Sequence, residues 1–253
     1  MKQPHPEWII PQWGAPAGVH AFVTTRAGGT SSGPWESMNL GLRSGDRSED
    51  VLGNRAILRE CLPDAPRWLR QVHGAGVVDA GSGPWAEGQE PEADASFALA
   101  PNVVCTVLIA DCMPVFLCDG RGGAVAVAHA GWRGLAGGVV EATVRAMGSA
   151  PDTLLAWLGP AIGPRHFEVG EDVLEAFCSA DAGAVEGFEP YPGRAGKWLC
   201  DLPWLARRRL ARIGVESVGG GTHCTVSEAR LYSHRRDRGV SGRMAAVIWR
   251  DPA

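Results

Sequence analysis

A chain of 253 residues, 45% of them hydrophobic, is long enough to bury one large core or two small ones. Its net charge of −4, with basic residues scattered apart from Arg207 to Arg212 and Arg235 to Arg238, carries no electrostatic footprint for nucleic acid and leaves small polar or anionic molecules as partners. No stretch approaches the ~20 apolar residues of a membrane span, the N-terminal MKQPHPEWIIPQW lacks a signal-peptide core, and the seven cysteines are odd in number and widely spaced, so a cytoplasmic protein without a disulfide framework is expected.

Residues 1–18 are Pro- and Trp-rich and aperiodic, which suits an arm laid against the body of a domain. Val19 to Arg26 reads as a strand that empties into a long Gly/Ser-rich loop with Asn39 near its end, and Arg26 projects beside the Gly28-Gly29 backbone. Ser48 is placed to cap a helix to about Cys61, with Val51, Asn54, Leu58 and Cys61 on one face. RWLRQVHGAGVVDA (67–80) has the pattern of two short strands about a Gly74/Gly76 turn, with His73 at the turn. A Gly/Pro/Glu-rich loop over 81–92 follows, and Asp94 leads into the central stretch.

That stretch, Val103 to Gly134, holds two apolar runs, the first ending at Asp111-Cys112 and the second at His129. Runs this rich in Val and Ile read as strands buried on both faces, and strand ends are where α/β proteins keep their chemistry. Ala-Gly-Trp-Arg-Gly then opens a helix expected from near Gly134 to Gly148. A strand, a Gly-rich turn and a helix N-terminus can cradle an anion, with Arg133 at the mouth, although the spacing is not that of a P-loop. Leu154 to Leu158 is a further strand, Glu171 to Cys178 a short helix, and 180–199 irregular. Asp201 caps a helix from Leu202 to Ile213 whose Arg207, Arg208, Arg209 and Arg212 form a solvated face, and Arg243 to Arg250 closes the chain as a strand.

Cys112 and His129 at adjacent strand ends permit two chemistries. They can be a nucleophile and its base. They can equally be two metal ligands completed by a third, a two-His one-Cys set with an open position being a catalytic zinc arrangement. His73 is the best unassigned partner. None of the seven histidines forms an H-x-H or H-E-x-x-H pair, so multi-His copper chemistry has little support.

Eight blocks in order extend this reading: TRAGGTS (25–31), MNLG (38–41), NR (54–55), QVHG (71–74), ADCMP (110–114), AHAGWRG (128–134), GPAIG (159–163) and SHRRD (233–237). Together they resemble the YfiH family, long labelled multicopper polyphenol oxidoreductases or laccase-like proteins and now regarded as purine nucleoside phosphorylases. The resemblance implies an α/β fold in one domain over 1–253, a layered α/β/β/α sandwich with mixed sheets. It implies a zinc, with copper possible, held by His73, Cys112 and His129. It also implies phosphorolysis of adenosine, inosine, guanosine and methylthioadenosine, together with adenosine deamination, and hence a purine nucleoside and phosphate as partners, with no nucleic acid and no membrane. On this reading Cys112, His129 and Asp111 are the catalytic set, and Arg26, Asn39 and Arg133 bind substrate. The alternatives are an amidohydrolase that removes serine from a muramyl peptidoglycan precursor, and a copper-dependent polyphenol oxidase. The oligomeric state and the role of Arg235 to Arg238 are left open.

Overall fold

The computed structural model describes residues 1–86 and 88–252. Glu87, inside the loop expected at 81–92, and Ala253, at the end of the expected single domain, lie outside the described residues. The chain opens with β1 (Val19–Val23) and α1 (Ser48–Arg59), passes through the short β2 (Pro66–Arg67) and β3 (Val77–Asp79) to β4 (Ala95–Ala98), and then lays down β5 (Val104–Ile109), β6 (Met113–Asp119) and β7 (Val125–Ala130). Helices α2 (Trp132–Ala136) and α3 (Val139–Met147) precede β8 (Leu154–Leu158) and β9 (Glu168–Gly170). The rest is α4 (Glu171–Cys178), β10 (Phe188–Pro190), β11 (Lys197–Cys200), α5 (Leu202–Arg212), β12 (Ser217–Gly220) and β13 (Met244–Arg250).

Two sheets form the body. One runs β1-β13-β5-β2 and the other β12-β8-β6-β7-β4-β3, while β10-β11-β9 make a small third sheet. Both large sheets are mixed, since β2–β5, β3–β4 and β8–β12 pair in parallel and the other neighbours are antiparallel. The alternation along each strand sorts the core into three layers. Phe116 and Cys118 of β6 and Val125 and Val127 of β7 face Cys105, Val107 and Ile109 of β5 and Ala246 and Ile248 of β13 between the sheets. Val115, Leu117, Ala126 and Ala128 point the other way, onto α3, α4 and α5. On the outer face of the smaller sheet, Val104, Val247 and Trp249 pack against Leu58 of α1, Trp8 of the N-terminal arm and Met38. Helix, sheet, sheet, helix is therefore the order of layers, as the resemblance implied.

The burial of β6 up to Cys118 and of all of β7 follows from this position, since a strand covered on both faces has no use for polar alternation. The two central runs nevertheless divide differently from the expectation. Val104–Ile109 belongs to one sheet and Met113–Asp119 to the other, so Ala110-Asp111-Cys112 is the crossing between sheets.

Several local expectations are corrected. Ser48 is the first residue of α1 and Arg47 holds the cap position without a side-chain bond, so the acidic Glu49 and Asp50 in the first turn support that end instead. The helix expected from Gly134 to Gly148 starts earlier, at Trp132, and breaks at Gly137-Gly138, where Gly138 takes φ +89, a left-handed conformation that costs glycine little. The segment 180–199 contains β10 and part of β11, because Phe188 pairs with Cys200 and covers the apolar cluster under α5. The arginines of α5 are engaged with neighbours, and Arg212 alone of the four is still an exposed residue. Arg207 donates to the carbonyls of Val218 and Gly220, Arg208 and Arg212 pair with Asp181, and Arg209 reaches Glu141 and the Ala136 carbonyl. They tie α5 to its neighbours.

Candidate active site

The crossing from β5 to β6, the C-terminal end of β7 and the loop between β2 and β3 meet at one end of the sandwich. There they bring together Cys112, His129 and His73, whose ligand atoms all lie within 4.8 Å of one another. The rings of His73 and His129 are 4.9 Å apart between centroids and nearly perpendicular, at 73°. Zinc holds cysteine sulfur at about 2.3 Å and histidine nitrogen at about 2.0–2.1 Å, so three atoms this close can share one ion with little movement. Gly131 keeps the cradle open, since a Cβ there would fall 2.6 Å from Cys112 Sγ and 3.6 Å from His73 Cδ2. The residues present fit a metal of the zinc or copper type.

Each ligand is held by backbone design. His73 sits at φ +60, a conformation unfavourable for a side chain with Cβ. It is stabilised there by Asp94, whose carboxylate accepts from the N–H groups of Val72 (3.1 Å), His73 (2.9 Å) and Gly74 (2.7 Å). Gln71 fastens the same loop to β5, donating to the Leu108 carbonyl and accepting from the Leu108 N–H. Asp94 also reaches His129: its Oδ1 lies 2.8 Å from Nδ1 and its carbonyl accepts the His129 N–H at 2.6 Å. With Nδ1 directed at the carboxylate, Nε2 is the nitrogen left for a ligand role. Asp94 is fully buried, and burial alone would raise its pKa, but the bonds from His129, Gly74 and Val72 lower it below the usual aspartate value.

Charge at the centre favours the thiolate. Burial by itself pushes the Cys112 thiol up, yet the neighbouring His129 charge and hydrogen bonds from His129 and His73 bring it down to about 6. Burial likewise lowers His129, but Cys112 and Asp94 raise it to about 9. Both shifts favour a thiolate beside an imidazolium, the form in which the sulfur would meet a soft cation or an electrophile.

The centre lies in the wall of a cleft of about 580 Å³, a volume suited to a small molecule. Trp68, Trp132 and Phe167 offer apolar and aromatic faces there. Arg43, Arg133, Arg235 and Arg243 line it as well, and among the described residues none of the four is ion-paired. Asp111 and Glu90 are the acidic residues on its walls.

The remaining expected site residues are divided. Asp111 faces the cleft at φ +91, but its carboxylate accepts from the Thr225 hydroxyl (2.5 Å) and the Arg235 N–H (2.7 Å), so it fastens two loops to the sheet crossing. Arg133 is on the wall and stacks on Trp132 at 4.3 Å. The helix in which it stands, α2, has only five residues, too short to supply the anion-binding dipole expected of it. Arg26 does not line the cleft: its Nε donates to the Glu36 carbonyl and its guanidinium covers the Tyr232 ring. Asn39 is wholly buried, its amide donating to Ser44 and Asp46 and its Oδ1 accepting from the N–H groups of Gly41 and Arg243. Asn39 is turned away from the cleft because internal partners use its polar atoms, whereas Arg26 stands outside the cleft with only the Nε of its side chain hydrogen-bonded among the described residues. Of the terminal basic run, Arg235 lies on the wall, whereas Arg236 bonds inward to the carbonyls of Thr225 and Leu231.

Asp94, Gln71 and Arg243 are the residues that sequence reasoning passed over. Gln71 stands in the QVHG block and was within reach of that signal, whereas nothing local marks Asp94 or Arg243.

An α/β/β/α sandwich whose sheets part over a His-Cys-His centre is the class that fold and site define. A family model described as multi-copper polyphenol oxidoreductase laccase matches residues 20–251, and the chain belongs to this family of enzymes. It is 49% identical to a purine nucleoside phosphorylase of Pseudomonas aeruginosa, over 96% of this chain and 98% of that one. It is 48% identical to the Escherichia coli purine nucleoside phosphorylase YfiH, over 95% and 98%. Among solved structures, a Neisseria meningitidis protein superposes with a TM-score of 0.91 at 48% identity, covering 97% and 99% of the two chains. YlmD of Geobacillus stearothermophilus does so at 0.81 and 32%, covering 97% and 100%. The expected family and fold both stand.

Proposed function

We propose that the chain is a zinc-dependent purine nucleoside phosphorylase acting on adenosine, inosine, guanosine and methylthioadenosine, with adenosine deaminase activity. The observation that carries this reading is the likeness, at 48–49% identity and nearly full length, to two proteins named purine nucleoside phosphorylases. The cleft supports it, since its volume, its aromatic walls and the arginines Arg43, Arg133, Arg235 and Arg243 on its lining suit a purine nucleoside and an oxyanion together. His73, Cys112 and His129 would hold the zinc, which when bound supplies a Lewis acid in the cleft wall. Trp68, Trp132 or Phe167 would stack the base, and the arginines would orient phosphate toward the anomeric carbon. Asp94 would keep His129 in one tautomer throughout.

The family description favours a second reading, a copper oxidase. Multicopper chemistry needs several ligand groups, and the described residues contain one group of this type. The experiment is product analysis with the metal-loaded protein. Adenosine plus phosphate is expected to give adenine and ribose 1-phosphate, adenosine without phosphate to give inosine, and Cys112→Ala to abolish both while the protein stays folded. A preparation that forms neither adenine nor inosine, yet releases serine from a muramyl-serine precursor or oxidises a polyphenol, would refute the proposal.

A further inference from the structure

Arg243 immediately precedes β13 and is fixed on three sides. Its backbone N–H donates to Asn39 Oδ1 at 2.8 Å, and its Nη1 donates to the carbonyls of Ser241 (2.7 Å) and Gly242 (3.0 Å). Its stem lies against Gly41, where a Cβ would come within 2.7 Å of Arg243 Cγ. Nε and Nη2 have no protein acceptor among the described residues. The guanidinium is half-buried in the cleft wall near Cys112 and Asp111; burial lowers its pKa, and the charges of those two residues only partly oppose this.

A rigid, partly desolvated cation with free donors is an incomplete arrangement. Removing it from water costs free energy that an anion in contact would offset, and its side-chain entropy is already lost on folding, so little more is lost on binding. Arginine's planar fork matches two oxygens of one tetrahedral oxyanion. The exposed Arg43 lies on the same wall, and the acids nearby, Asp111 and Glu90, do not form an ion pair with Arg243. We propose that Arg243 anchors a subsite for inorganic phosphate beside the His73-Cys112-His129 centre, with Asn39 and Gly41 as the residues that position it. Only the role of that phosphate as co-substrate rests on the phosphorylase reading.

The test compares the metal-loaded wild type with Arg243→Lys and Arg243→Gln. Phosphate affinity is measured by calorimetry without nucleoside, and KM is measured for phosphate and adenosine separately. The expectation is a loss of phosphate affinity of about tenfold or more in Arg243→Gln. Arg243→Lys should be intermediate, because the charge remains and the fork is lost, and the adenosine KM should change less than about threefold. If the variants misfold, wild-type protein treated with an arginine-selective dicarbonyl and mapped by mass spectrometry gives the same answer, with phosphate expected to protect Arg243. Unchanged phosphate affinity in Arg243→Gln, equal changes in both KM values, no protection of Arg243, or no phosphate binding by the wild type would each overturn the subsite. Phosphate binding that depends on Arg243 in a protein that cleaves no nucleoside would sink the phosphorylase reading and leave the subsite standing.

Discussion

Asp94 connects the two histidines of the centre more directly than any other side chain. One buried carboxylate accepts three consecutive N–H groups around His73 and lies against Nδ1 of His129. Outer partners of this kind set ligand orientation, and their loss costs about 10–100-fold in metal affinity. Asp94→Asn keeps the shape but presents an NH₂ where donors already converge, so zinc affinity measured by chelator competition should fall within that range. The visible spectrum of the cobalt-substituted protein should change with it. An unaltered spectrum and affinity would reduce Asp94 to a loop brace. Cys112 and His129 were legible in the sequence because each ends an apolar run. Asp94 was not, because its partners are 21 and 35 residues away and a lone Asp before a strand has no distinguishing pattern.

At the scale of elements, the centre depends on how closely three segments approach. Gly131, between β7 and α2, has an ordinary φ of −68 and is needed for space rather than for conformation. Gly131→Ala is expected to displace Cys112 Sγ and weaken zinc binding about tenfold or more while the circular dichroism spectrum stays native. Retained affinity would show that the crossing at Cys112 can yield. Gly134 plays the matching part for α2, since a Cβ there would meet the Gly74 carbonyl at 2.8 Å. Gly134→Ala should therefore push α2 off the His73 loop, and faster alkylation of Cys112 in the metal-free protein would report it. The break at Gly137-Gly138 and the strand pairing around Phe188 were unreadable locally, because each is decided by what lies across the fold. The same holds for the α5 arginines, whose charge pattern suggested solvent and whose partners, Asp181, Glu141 and the carbonyls near β12, arrive from elsewhere.

The whole molecule brings the candidate metal-binding group together from three separated parts of the chain. Filling it should stabilise all three layers together. At a free zinc concentration 100 times the dissociation constant, the gain is about 2.7 kcal/mol, which for a protein of this size corresponds to roughly 5–10 °C in Tm. Scanning calorimetry with zinc and after chelation checks this, and a Tm indifferent to chelation would place the metal outside the folding equilibrium. Among the described residues no helix is long and apolar enough to cross a membrane.

The sequence by itself determined the strands around the centre, the chemically capable residues at their ends and, through eight ordered blocks, the family and its layered fold. Those features are written in local pattern, where burial on both faces demands continuous apolar runs and a ligand must stand where a run stops. Tertiary structure alone decided which polar residues face the cleft. Asn39, near the end of a glycine-rich loop, turned inward onto Ser44, Asp46 and the backbone of Arg243, and Arg26 came to stand outside the cleft over Tyr232. Arg243, just before the last strand, turned toward Cys112 because Asn39 and Gly41 hold it there. Where a polar side chain points is settled by which partners the folded chain brings within reach, and no spacing along the sequence carries that information.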